Sequence, residues 1–177
     1  MRFSLVALAA VLALGGCSQK GAFDLFTMDE AHERSVEQLR TASIVKSMET
    51  KAIVSAVYLN PVYPGQYRDG EYFMAAFYFE KRNQDVKKWS LEDHGYTLTL
   101  NVADVDPKTK KPVTRSLTPV SMEEIKENDP RRSLIPIQNN WNRYFLIRFD
   151  PVNGPGLALR LENNQTGTAV LNYQKSE

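Results

Sequence analysis

The 177-residue sequence has little of what most enzymatic and metal sites are built from. It contains one cysteine, Cys17, and two histidines, His32 and His94, which stand far apart in the chain. A single cysteine forms no internal disulfide, and two separated histidines supply a metal site poorly. No G-x-S-x-G, H-E-x-x-H or glycine-rich phosphate-binding motif occurs. We therefore expect a protein without enzymatic activity, cofactor or bound metal.

The chain also carries no marked excess of charge of either sign. It has 22 basic and 21 acidic residues, so its formal net charge is +1. A nucleic-acid-binding domain usually shows a clear excess of lysine and arginine. The charge balance therefore argues against nucleic acid as a partner.

The apolar stretch near the N-terminus is too short to cross a membrane. It covers residues 3–14, is interrupted only by Ser4 and follows the basic residue Arg2. A transmembrane helix needs about 20 apolar residues. A basic start and a short apolar run, followed here by the small residues Gly15 and Gly16, are typical of a secretory signal peptide.

The end of this stretch, Leu14-Gly15-Gly16-Cys17, resembles the lipobox of bacterial lipoproteins. The resemblance implies cleavage between Gly16 and Cys17 and a diacylglyceryl group on the Cys17 thiol, with acylation of the new amine. Two or three acyl chains on one residue make a stable anchor, whereas a single chain binds a membrane only marginally. The membrane would then be a partner through the lipid on Cys17, and no thiol would remain for other chemistry.

The residues after the cysteine bear on location and domain organisation. In the lipoprotein family an Asp after the cysteine retains the protein in the inner membrane, so Ser18 implies the outer membrane. We expect residues 1–16 to be the signal peptide, residues 17–26 a lipidated tether and residues 27–177 a single domain. The alternative is that Cys17 lies buried in an N-terminal core helix.

The domain is expected to begin with a short helix that packs on it as a lid. Thr27 and Glu30 have the spacing of a capping box, with Thr27 as N-cap and a helix to about Arg40. Its packed face would contain Ala31, Val36 and Leu39. The same spacing from Ser121 to Glu124 predicts a second helical piece, ending before Asp129-Pro130.

The remaining pattern is that of strands separated by turn residues. Residues 71–81 are apolar on both faces, which predicts a strand in the middle of a sheet, although an exposed aromatic stripe is the alternative. We count about six to eight strands and no long helix between them. This predicts an all-β fold, a β-sandwich that could have an immunoglobulin-like outline, without the cysteine and tryptophan landmarks of true immunoglobulin domains. The predicted strands cover residues 44–45, 51–59, 71–81, 96–102, 113–117, 141–149, 157–162 and 169–174.

One candidate recognition patch stands near the start of a predicted strand. Trp141, Arg143 and Tyr144 belong to the residue types that dominate binding hot spots, and Arg131 and Arg132 lie upstream in a proline-flanked loop. The preferred interpretation is that Trp141 packs against the end of the sandwich.

Two further motifs have a functional and an ordinary interpretation. Glu92-Asp93-His94 could bind a metal or supply a base, but consecutive side chains rarely converge, so a solvated loop is preferred. Glu162-Asn163-Asn164-Gln165-Thr166 resembles the extended acceptor sequence of bacterial N-glycosylation, with Asn164 as acceptor. Asn and Thr are also common turn residues, and a plain hairpin turn is preferred.

These observations favour a lipid-anchored, non-enzymatic protein of the cell envelope that binds another envelope protein. A small-ligand or glycan-binding lipoprotein is the alternative, suggested by eight tyrosines and two tryptophans. A hydrolase that uses two carboxylates is a third possibility, since acidic pairs that meet in space leave no sequence motif.

Overall fold

The computed structural model of the chain describes residues 30–80, 90–105 and 112–175. Within these residues a short helix, α1, spans Glu30–Gln38 and leads directly into the first of nine strands. The strands are β1 (Leu39–Lys46), β2 (Glu49–Tyr58), β3 (Glu71–Phe79), β4 (Thr97–Val105), β5 (Pro112–Leu117), β6 (Ser121–Ile125), β7 (Arg143–Phe149), β8 (Gly156–Asn163) and β9 (Gly167–Gln174).

The strands form two antiparallel sheets, so the predicted all-β sandwich is confirmed. The five-stranded sheet has the order β1-β2-β3-β7-β6, and the four-stranded sheet has the order β5-β4-β8-β9. Strands β2 to β9 follow the order A-B-E-D and C′-C-F-G of immunoglobulin-like sandwiches. Strand β1 precedes strand A of this arrangement. It pairs with β2 at the edge of the five-stranded sheet and also contacts β9 of the four-stranded sheet.

The main core lies between the two sheets. The central strand β3 sends Phe73 and Phe77 into it, and the paired strand β7 adds Phe145 and Phe149. The rings of Phe73 and Phe149 pack edge to face with centroids 5.9 Å apart, as do those of Phe77 and Phe145. The three phenylalanines of β3 are therefore core residues, as preferred, whereas Tyr72 and Tyr78 on the outer face are partly exposed.

The outer face of the five-stranded sheet is covered as well. Alternate residues of β2 and β3, such as Val57 and Met74, form a second apolar cluster there with Ile135 and Tyr144. Helix α1 contributes Ala31 to its cover. Strands β2 and β3 are apolar on both faces because both of their faces are buried.

The outer face of the four-stranded sheet is polar. In the β8–β9 hairpin Leu159 and Leu171 are buried in the main core, whereas Asn172 and Gln174 on β9 are exposed. The strict alternation expected for a half-buried hairpin is confirmed.

Two of the expectations for helices are wrong. Residues 121–125 form the strand β6, whose Ile125 is buried in the second cluster opposite Tyr144 of β7. Capping-box spacing is a local signal, and pairing with β7 overrides it. In α1, Val36 is 46 % exposed and Ser35 is buried instead, on the same side of the helix as Ala31 four residues earlier. Leu39 packs on the second cluster as expected, but it is the first residue of β1.

Candidate functional site

Trp141 lies in residues 136–142, the loop that leads into β7, which we call the Trp141 loop, and it is 65 % exposed. The expectation that it packs against the end of the sandwich is therefore wrong. An exposed tryptophan presents a large apolar surface to water, and such side chains are frequent anchors of protein interfaces.

The loop that carries Trp141 is held by Asn139. The Asn139 side-chain oxygen accepts hydrogen bonds from the backbone N–H of Trp141 at 3.1 Å and of Asn142 at 2.9 Å. The Asn139 N–H donates to the Tyr144 hydroxyl at 2.9 Å, and the Asn139 carbonyl accepts from Arg132 at 2.7 Å. The position of Trp141 is thus set by hydrogen bonds within the loop rather than by burial of its ring.

The segment before the Trp141 loop is anchored in the second apolar cluster. A 3-10 turn, Pro130–Leu134, ends at Ile135, which is fully buried in the second cluster. The Gln138 side chain donates to the carbonyl of Arg132 at 2.6 Å and to that of Ile135 at 2.8 Å. Hydrogen bonds therefore hold the chain both before Asn139, through Gln138, and after it, at Trp141 and Asn142.

A groove of about 640 Å³ lies beside this loop at the ends of β6 and β7. Residues 124–127, which end β6 and follow it, form one side. The other side contains Arg132, Asn140, Asn142, Arg143 and Tyr144.

Of the predicted recognition patch, Trp141, Arg143 and Tyr144, only part is exposed on the surface. Tyr144 is 2 % exposed, and its ring lies beneath the guanidinium of Arg132, 4.2 Å from the ring centroid. Arg143 is half-buried and forms an ion pair with Glu124 on the neighbouring strand β6. Trp141 is therefore the freely exposed member, while Tyr144 and Arg143 support the groove.

Arg131 and Arg132 are neighbours with different surroundings. Arg131 donates to both carboxylate oxygens of Glu123, at 2.6 and 2.9 Å, and to Asp129 at 2.7 Å. These hydrogen bonds hold the pKa values of the Glu123 and Asp129 carboxyls below their ordinary range. Arg132 meets no carboxylate among the described residues, and its Nε is buried without a hydrogen-bond acceptor.

A second polar group lies inside the fold. Glu71 is 1 % exposed and accepts hydrogen bonds from the Tyr58 hydroxyl at 2.5 Å, the Val152 N–H at 3.1 Å and Lys175 Nζ at 2.7 Å. Burial raises the pKa of Tyr58, and the neighbouring Glu71 carboxylate raises it further. Because the carboxylate is enclosed and fully bonded, we assign it a structural role that ties Lys175 to the five-stranded sheet.

The other candidate residues stand apart from the groove. Glu92-Asp93-His94 forms a 3-10 turn in which the His94 ring stacks on Phe79, with centroids 4.7 Å apart. Within the described ranges no three His, Cys, Asp or Glu side chains are grouped so that they could hold a metal ion. Asn164 is exposed in the β8–β9 turn, which the side chain of Asn163 holds through bonds from residues 165 and 166.

The residues of the expected signal peptide and anchor lie outside the described part of the chain, among them Gly16, Cys17 and the expected N-cap Thr27. In the part that is described, no helix has the length and apolar character needed to span a bilayer. The chain matches no protein-family model, no curated protein and no solved structure.

Proposed function

We propose that the protein is a lipid-anchored envelope lipoprotein that acts as a non-enzymatic docking module, with the Trp141 loop as its contact surface. The observation that carries the proposal is an exposed tryptophan on a loop that its own hydrogen bonds already order. The outer membrane is the proposed location, from the residues around Cys17.

The Trp141 loop is already ordered in the free protein, and this order favours the binding of a partner. Burying a tryptophan removes roughly 150–250 Å² from water. At about 25 cal/mol/Å², covering the exposed part of Trp141 would contribute roughly 2–4 kcal/mol. A flexible loop would lose part of this gain to ordering, and the Asn139 hydrogen bonds reduce that loss.

A lipid on Cys17 would complement this surface. An anchored protein meets partners in the same membrane at a high effective concentration, so a moderate contact suffices. The resemblance of Leu14-Gly15-Gly16-Cys17 to a lipobox supports the anchor.

The proposal is tested by purifying the native protein from membranes in detergent, with and without a crosslinker. We expect an envelope protein to co-purify with the wild type and to be lost from Trp141→Ala. The matched control is Val170→Ala, since Val170 is also exposed but lies on β9 of the other sheet. Recovery of the lipoprotein alone from wild-type membranes would contradict the proposal.

The groove also gives the ligand-binding alternative some support. Its volume of about 640 Å³ is in the size range of small-molecule sites, roughly 300–1,000 Å³. However, Tyr144 is covered by Arg132, so the groove does not offer the aromatic lining that sugars and apolar ligands prefer. Two acidic residues, Glu124 and Glu127, line it, but Glu124 is engaged by Arg143 and we propose no reaction for this groove.

A further inference from the structure

We infer that the groove beside Trp141 receives an acidic peptide segment of the partner protein, whose carboxylate pairs with Arg132. This inference rests on the proposed docking function and names the chemistry of the partner at that site.

The charge of Arg132 is not compensated within the described chain. Four other arginines are partly buried there, and each forms a salt bridge to a carboxylate: Arg131, Arg143, Arg148 and Arg160. Arg132 is buried to a similar degree, but its contacts in the described residues are the Tyr144 ring and the Asn139 carbonyl. A partly desolvated guanidinium without a counter-charge favours the approach of an anion.

The guanidinium is also held in place. Tyr144 supports it from one face, and its Nη2 is bonded to the Asn139 carbonyl. Its Nε is a buried donor with no acceptor in the described chain. The enclosed Nε is out of reach of a partner, so a carboxylate in the groove would pair with the Nη groups of this fixed, planar guanidinium.

The rest of the groove favours a peptide over a small anion. Asn140 and Asn142 add side-chain amides, which donate to and accept from the backbone of an extended chain. The formal charges of Lys126 and Glu127 cancel and Glu124 is paired with Arg143, so Arg132 supplies the excess positive charge of the groove. Between these two asparagines the chain carries the exposed Trp141, whose apolar ring we infer to cover the neighbouring residues of a bound segment.

The inference is tested by NMR titration of the full-length, detergent-solubilised protein with two probes. The first is the peptide acetyl-Ala-Glu-Leu-Glu-Ala-amide, and the second has Gln in place of both Glu residues. We expect the Glu peptide to shift the Arg132 Nε–H and the Trp141 indole N–H. The affinity of the Gln peptide should be lower by a factor of roughly ten or more, since a hydrogen bond to a charged group is stronger than a neutral one.

Variants separate the role of Arg132 from a general loss of basic charge. Arg132→Gln should remove the preference for the Glu peptide, and Arg132→Lys should retain only part of it because lysine lacks the planar fork. Arg160→Gln, which removes a partly buried arginine on the four-stranded sheet, should leave binding unchanged. The amide spectrum of each variant shows whether the fold is retained, and Arg132→Lys serves if Arg132→Gln unfolds.

Equal binding of the two peptides, no binding of either, or an unchanged preference in Arg132→Gln would each overturn the inference. These outcomes are distinct from failure of the docking function. If Trp141→Ala still loses its envelope partner while neither peptide binds, the docking surface stands and the acidic partner segment does not.

Discussion

The two sheets of the sandwich differ in how many of their faces are covered. The five-stranded sheet is buried on its inner face by the opposite sheet and on its outer face by α1 and the segments around Val62 and Ile135. The described residues bury the four-stranded sheet on its inner face alone. The Trp141 loop and Arg132 belong to the cover of the first sheet, a layer without a counterpart on the second sheet in the described part of the chain.

This difference explains two kinds of strand in one sequence. Strand β3 is a continuous apolar run because most of both of its faces is buried, whereas β9 alternates strictly. On the covered side the covering segments contribute buried residues such as Ile135, and they also carry the exposed Trp141 that we propose as the docking surface.

The largest expected effect is at the inner face of β3. Phe73→Ala removes a ring that is fully buried between the sheets and should lower the free energy of unfolding by about 3–5 kcal/mol. Urea unfolding of the protein measures it. As control, Asn172→Ala on the exposed face of β9 should stay within about 0.5 kcal/mol of wild type. A similar small change for Phe73→Ala would mean that the inner core is misassigned.

The outer face of β3 should behave as a second core. Met74→Ala deletes a fully buried side chain beneath the covering segments, and we expect a loss of about 2–4 kcal/mol in the same urea experiment. A loss below about 1 kcal/mol would approach the small changes seen at surface positions. It would show that the covering segments pack loosely on the five-stranded sheet and that the outer faces of the two sheets are alike.

A smaller effect is expected where the buried carboxylate ties the C-terminal end of β9 to β3. Lys175→Met leaves the Glu71 charge without its cation and should cost about 2–3 kcal/mol, less than for a fully enclosed pair because Lys175 is partly exposed. The double variant Glu71→Gln, Lys175→Met should recover part of this loss. If the two substitutions are simply additive, the pair is not coupled.

The smallest effect concerns the covering segment after β6. Arg131 lowers the pKa of Glu123 and Asp129 in the folded protein, so these two carboxylates stabilise the fold above their ordinary pKa. The contribution is lost as pH falls below about 4. We therefore expect Arg131→Gln to have a lower urea midpoint than wild type at pH 7 and the difference to shrink towards pH 3. A difference that does not change with pH would contradict this origin.

The sequence allowed much of the fold to be predicted. A two-residue period located β4, β7, β8 and β9, and a continuous apolar run located β3, because both patterns depend on local order alone. The sequence did not reveal β6, since Ser121 and Glu124 have the spacing of a capping box and this segment becomes a strand only by pairing with β7. The added strand β1 was predicted only as a fragment, residues 44–45.

The site was harder to predict because its key contacts join distant or non-periodic residues. Trp141 was recognised as a hot-spot type, but its exposure depends on the hydrogen bonds that Asn139 makes inside the loop. The pair Arg131-Arg132 was noted, yet nothing in the sequence separates the bonded arginine from the uncompensated one. That distinction appears only once β6 supplies Glu123 to Arg131 and β7 supplies the Tyr144 ring to Arg132.

The most direct measurement compares the two sheets as docking surfaces in living cells. A photo-crosslinking amino acid is placed in the full-length protein either at Asn140, exposed beside Trp141, or at Asn172, exposed on β9. We predict a discrete crosslinked partner from position 140 that disappears with Trp141→Ala, and none from position 172. Crosslinks from position 172 alone, or equal crosslinking from both, would contradict a docking surface at the Trp141 loop.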